Sequence, residues 1–126
     1  MGLTYAKISL SNPRIMDLKA IEETALVDSG ALMLCMPEHI ATQLKLDLLE
    51  KREVQTADGK SHSVPYVGPV RVEFENRYCF VGALVLGNEL LLGAVPMEDM
   101  DLIIHPSRQV LMANPANPNM PSYKIK

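Results

Sequence analysis

Ala25-Leu26-Val27-Asp28-Ser29-Gly30-Ala31 is the stretch on which the fold reading turns. An apolar run delivers an acid into a turn made by two small residues. An acid at the end of a buried strand is costly unless it is hydrogen-bonded or functional. The Ser29 hydroxyl can bond backbone groups and fix the turn. Gly30 permits a close backbone approach or a positive φ. Taken alone, Asp-Ser-Gly is a common tripeptide and reads as a turn with a solvated carboxylate, so the surrounding pattern has to decide.

Upstream, Tyr5, Lys7 and Ser9 alternate with Ala6, Ile8 and Leu10, which is the period of a half-buried strand. Ser11-Asn12-Pro13 punctuates it, and residues 18–27 resume an extended reading. Downstream, residues 36–44 predict a helix. Pro37 suits its first position, Glu38 suits the positive end of its dipole, and Ile40, Ala41 and Leu44 form its apolar stripe.

Asp58-Gly59 lies between extended segments at 53–57 and 60–65. That predicts a hairpin through a type I′ turn, with positive φ at both central residues. Val70, Val72 and Phe74 alternate with Arg71 and Glu73. Asn76-Arg77 reads as the next turn, and residues 78–86 as a return strand buried on both faces around Ala83-Leu84-Val85-Leu86. Leu91-Leu92-Gly93 ends a further extended segment. Residues 96–100 predict a short helix, and segments 101–104 and 109–112 predict a last hairpin. Short strands with turn signals about every ten residues predict an all-β domain, closed or nearly closed, with one or two short helices. Residues 1–113 form this single domain. Residues 114–126, with Pro115, Pro118 and Pro121, read as an extended, mobile Pro-rich tail.

The bulk numbers suit one soluble domain. The chain has 126 residues, 48% hydrophobic and 21% charged. Net charge is -3, and no basic run or basic–aromatic stripe occurs, so no nucleic-acid or membrane partner is expected. Trp is absent, which leaves Leu, Val, Ile and eight Met to fill the core. Cys35 and Cys79 form no CxxC pair; two reduced, buried thiols in a cytoplasmic protein are the expectation. The N-terminus shows no signal-peptide pattern. Met1-Gly2 begins a myristoylation pattern, but Ala6 stands where Ser or Thr is wanted.

The order of these pieces resembles the retroviral-type (retropepsin-like) aspartic proteases. In that family a strand leads to Asp-Thr/Ser-Gly-Ala, then come a flap hairpin and further strands, then two apolar residues and Gly before a short helix. Here the pieces are Leu26-Val27-Asp28-Ser29-Gly30-Ala31, the hairpin around residues 56–60, Val85-Leu86-Gly87 and Leu91-Leu92-Gly93. The resemblance spans roughly residues 5–112, and non-viral members, bacterial ones among them, are the nearer match. It implies a closed barrel with a flap and a homodimer, because the chemistry needs two aspartates and this chain has one Asp-Ser/Thr-Gly.

By the same resemblance, Asp28 is the catalytic residue and Ser29 and Gly30 support its loop. Ala31, Thr56, Ala57, Asp58 and Gly59 contact a peptide or protein substrate. Leu91, Leu92 and Gly93 form the structural motif, with no metal or other cofactor. Three departures stand out. Leu32 and Met33 replace the acidic residues usual after the Ala and imply a more apolar subsite. The flap tip has one Gly rather than several. Ala94 replaces the Arg of many viral members.

The remaining candidates read as structural. His39, His62 and His105 form no HxxxH or HExxH pattern. Cys35 as a nucleophile is weaker than Cys35 as a core thiol, and Asp99 and Asp101 cap or solvate a helix. Three functions stay open at this point: a homodimeric aspartic endopeptidase, a non-catalytic dimeric peptide-binding or dimerisation module on the same fold, and an unrelated ligand-binding barrel.

Overall fold

A computed structural model of the chain describes residues 3–125. The myristoylation reading of Met1-Gly2 lies outside the described residues. The strands are β1 (Thr4–Ser11), β2 (Ile21–Val27), β3 (Leu34–Met36), β4 (Asp47–Gln55), β5 (Ser61–Phe74), β6 (Arg77–Val85), β7 (Leu91–Leu92), β8 (Leu102–Ile104) and β9 (Leu111–Ala113). Helix α1 (Glu38–Gln43) follows β3, and α2 (Ala94–Asp99) follows β7. No helix among the described residues is long and apolar enough to cross a membrane.

Six strands close a barrel in the order β1-β2-β7-β3-β6-β5, and β5 returns to β1 by pairing Ser9 with Glu73 and Leu10 with Val72. Closure removes the open edges that a flat sheet of this size would expose. The interior follows the alternation in the sequence. Ile8, Leu10, Val70, Val72 and Phe74 are buried together with Ala25, Val27, Leu34, Met36 and Leu92. Each such aliphatic side chain contributes about 1.5–3 kcal/mol relative to exposure. β8 and β9 pair separately as a small hairpin.

β4 stands outside the ring. It pairs with β5 alone, as the outer arm of a long hairpin. It runs from Asp47, six residues before the sequence pattern suggests, because an arm exposed on both faces carries no apolar alternation. The hairpin tip also differs from the expected type I′ turn. Only Gly59 has positive φ, at 84°. Gly59 N–H donates to Thr56 O and Thr56 N–H to Lys60 O, each over 2.9 Å. This is a three-residue loop closing on a left-handed glycine. Asp58 braces it by accepting from Thr56 Oγ1 at 2.6 Å and Lys60 N–H at 3.0 Å, which holds its carboxyl below the usual range.

Helix α1 starts at Glu38, because Met36 ends β3 and Pro37 is the cap residue. Its C-terminal carbonyls are served from a distance. Buried Asn12 donates through Nδ2 to Leu44 O at 2.9 Å and Lys45 O at 3.2 Å.

Arg77 corrects the turn assignment. The turn is Glu75-Asn76, and Arg77 pairs with Phe74 as the first residue of β6. Its side chain is fully buried. A buried guanidinium is destabilising unless carbonyls or carboxylates surround it. Arg77 Nη1 donates to Met100 O at 2.9 Å and lies 3.9 Å from Asp101 Oδ2, and Nη2 donates to Asn117 O. Asn117 belongs to the Pro-rich tail, so the tail completes the burial of this charge rather than hanging free. Asp101 fastens the same segment by accepting from Asn114 Nδ2 at 3.1 Å, Asn117 Nδ2 at 2.8 Å and Ser122 N–H at 3.1 Å.

Those hydrogen bonds, led by Asn114, hold the Asp101 carboxyl below the usual carboxylate range. A depressed carboxyl stabilises the fold fully above its unfolded pKa, and that contribution disappears as pH falls through the folded value. Folding stability is therefore expected to drop below about pH 4, and Asp101→Asn to flatten that part of the curve. Urea midpoints of both proteins from neutral pH to about pH 2.5 measure this; parallel curves would contradict the role given to Asp101.

Candidate active site

Asp28 follows directly on β2, and three backbone contacts fix its loop. Asp28 N–H donates to Leu92 O at 3.0 Å, Ala31 N–H to Asp28 O at 3.1 Å, and Gly30 N–H to the carboxylate Oδ1 at 2.9 Å. The side chain is half-buried, and Ser29 and Gly30 are exposed. Gly30 makes the close-approach use of glycine: a Cβ there would sit 3.1 Å from Asp28 Oδ1.

Leu91-Leu92-Gly93 explains the loop from below. β7 lies between the strands that flank Asp28, parallel to β2 through Leu26–Leu91 and Val27–Leu92 and antiparallel to β3 through Cys35–Leu91. Leu92 is fully buried. Gly93 then passes under the loop so closely that a Cβ would lie 2.3 Å from Met33 O and 2.8 Å from Ala31 O. Ala94 N–H and Val95 N–H, opening α2, donate to Ala31 O and Leu32 O at 2.8 Å each. The two motifs separated in the sequence are thus one structural unit.

The hairpin of β4 and β5 faces this unit across a cavity of about 410 Å³. One wall is Gly30, Ala31, Leu32, Met33 and Cys35, with Leu84 and Leu86 from the β6 side. The other is the β4 arm from Arg52 to Thr56. Of the residues expected to meet substrate, Ala31 and Thr56 line the cavity. Ala57, Asp58 and Gly59 form the exposed tip and do not. Leu32 and Met33 give the groove the apolar character expected of them. A second cavity, about 470 Å³, lies between α1 and the hairpin, lined by Glu38, Ala41, Leu46, Leu48 and Val67 among others and by no residue of the Asp28 loop.

Sequence reasoning missed Arg52, Glu53, Val54, Gln55, Leu84 and Leu86 as groove residues. Once β4 is known to pair with β5, period two puts Glu50, Arg52 and Val54 on one face, with Tyr66 opposite Glu50. The charged run 50–53 conceals that face, whereas Leu84 and Leu86 were visible only as strand core.

Cys79 is buried, and burial together with Asp99 pushes its thiol up to about 12. Cys35 is only half-buried and borders the groove, which departs from the core position expected of it. Burial raises its thiol pKa as well, which opposes the thiolate a nucleophile needs. His39 is exposed on α1. Among the described residues, no three His, Cys, Asp or Glu side chains gather as metal ligands would.

No protein-family model matches the chain, and no curated protein matches it.

Gly93→Ala tests the joint beneath the loop. Its Cβ would meet backbone carbonyls rather than the flexible end of a side chain, so relief needs the loop itself to move. The expected loss is about 2 kcal/mol or more in denaturant unfolding. An unchanged midpoint would contradict the close approach.

Proposed function

We propose that the chain is an aspartic endopeptidase of the retropepsin-like type, active as a homodimer in which two copies of Asp28 form the catalytic pair. The observation that carries this reading is the arrangement around one acid. Asp28 stands on a loop pinned by Leu92 and Gly93; it does not itself line the groove, but Gly30 to Met33 of the same loop do, and a long hairpin covers that groove from the other side.

The chemistry follows from carboxyl pairs. Two carboxyl groups about 3 Å apart cannot both ionise, so they hold one proton between them; aspartic proteases are the standard example of this. The ionised member takes a proton from a water, which attacks the scissile carbonyl carbon. The protonated member gives its proton to the carbonyl oxygen. Collapse of the tetrahedral intermediate then breaks the C–N bond, and a proton passes to the leaving amine.

One chain supplies one Asp28, so the partner's copy is required. Ser29 is exposed beside Asp28, and in such a dimer its hydroxyl would hold the two loops together. The hairpin acts as the flap, excluding water once an extended peptide lies in the groove.

A non-catalytic peptide-binding module is the second reading. Both walls of the groove come from a single chain, and Leu32 at 65% exposure offers apolar contact without any dyad.

The two part on Asp28→Asn. Cleavage of a diverse peptide library between about pH 3 and pH 7, fastest on the acid side, is expected for the native chain. The variant should lose it on the order of a thousandfold or more while keeping fold and self-association. Peptide binding without cleavage by either protein would decide for the second reading.

A further inference from the structure

The groove holds a charged group built into place. Arg52 lies on the hairpin face that borders the cavity, and its guanidinium carbon sits 3.8 Å from the centre of the Tyr66 ring. Tyr66 in turn lies flat against β6 at Gly82. A Cβ on Gly82 would come within 2.1 Å of the ring, so only glycine leaves room for it. Glu50 accepts from Arg52 Nε at 2.6 Å. Gly82, Tyr66 and Glu50 together hold the guanidinium in one plane and leave both terminal amino groups without a partner among the described residues.

An Arg side chain ordinarily loses rotamer freedom when it binds. Here ring stacking and the Glu50 contact have already restricted it. A planar guanidinium with free terminal amino groups matches a carboxylate. Facing it across the cavity are Leu32, Met33 and Leu84, which match a bulky apolar side chain. Glu53, next along the strand, also lines the groove, but among the described residues the carboxylate that engages Arg52 is Glu50, through Nε alone.

We infer that Arg52 is a specificity-determining residue, selecting extended peptides that carry an acidic side chain beside the apolar residue seated in the groove. This rests on reading the groove as the peptide site. It adds a charge preference that an apolar subsite alone would not have.

Binding to the Asp28→Asn protein tests the selection apart from cleavage. The probes are extended peptides with a central Leu-Phe pair and Glu, Gln or Lys on either side, followed by fluorescence anisotropy. The Glu peptides should bind about fivefold more tightly than Gln, with Lys weakest, and added salt should shrink the difference. Arg52→Gln, at a residue whose side chain is 42% exposed, should erase the preference while apolar binding persists. Arg52→Lys should restore part of it.

Equal binding of Glu and Gln peptides, a preference that survives Arg52→Gln, or no binding of any probe overturns the inference. Cleavage is read separately with Asp28 intact. Glu-selective binding without cutting sinks the protease reading and leaves the Arg52 role standing. Cutting with no Glu preference sinks the Arg52 role alone.

Discussion

The close approach of Gly93 to the backbone of residues 31–33 is the constraint on which the molecule depends. Met33 O and Ala31 O occupy the space a Cβ would need, and Ala94 N–H and Val95 N–H reach the same loop from α2. This joint seats β7 between β2 and β3, which closes the barrel. It also holds Asp28 above Leu92 O at a fixed height. Barrel closure and presentation of the acid are therefore a single packing event. A loop free to move by an ångström would forfeit the geometry that carboxyl-pair chemistry requires.

A second polar centre secures the far end of α2. Arg77 is buried where β6 begins; its two terminal amino groups are satisfied by the α2 terminus and by the tail through Asn117, while Nε has no partner among the described residues. Neutral hydrogen bonds are worth about 1 kcal/mol each, but an uncompensated buried guanidinium costs several kcal/mol. The second magnitude decides the arrangement: the tail must stay. Exposed pairs such as Arg14–Asp47, at 3.0 Å, contribute about 0–1 kcal/mol and decide little.

The barrel and the Asp28 loop were legible in the sequence because both announce themselves locally. Alternation at residues 5–10 and 70–74 comes from strands with one face inside. An acid after an apolar run and a glycine after two leucines come from a strand end and a close approach. Features fixed by long-range topology were not legible. β3 is three residues within the apolar run 32–36, too short to show a period, and it exists because β6 and β7 lie on either side of it. β4 is exposed on both faces, so only its end from Glu53 shows in the sequence, as the first arm of the hairpin. Arg77 looks like a turn residue until α2 and the tail close over it. The tail's composition says mobile, and only the partners Asp101 and Arg77, distant in sequence, say otherwise. The groove was half visible: Leu32 and Met33 declared its apolar wall, while Arg52 is placed there by a pairing register that composition does not record.

The catalytic reading stands or falls on whether two such loops meet. A crystal structure of the assembled protein, with the distance between the Asp28 carboxylates of the two copies read directly, is the most direct measurement. A two-fold dimer with carboxyl oxygens about 3 Å apart is the predicted result. A dimer holding them roughly 10 Å or more apart, beyond any shared proton, or a protein that stays monomeric at crystallisation concentrations, would contradict it.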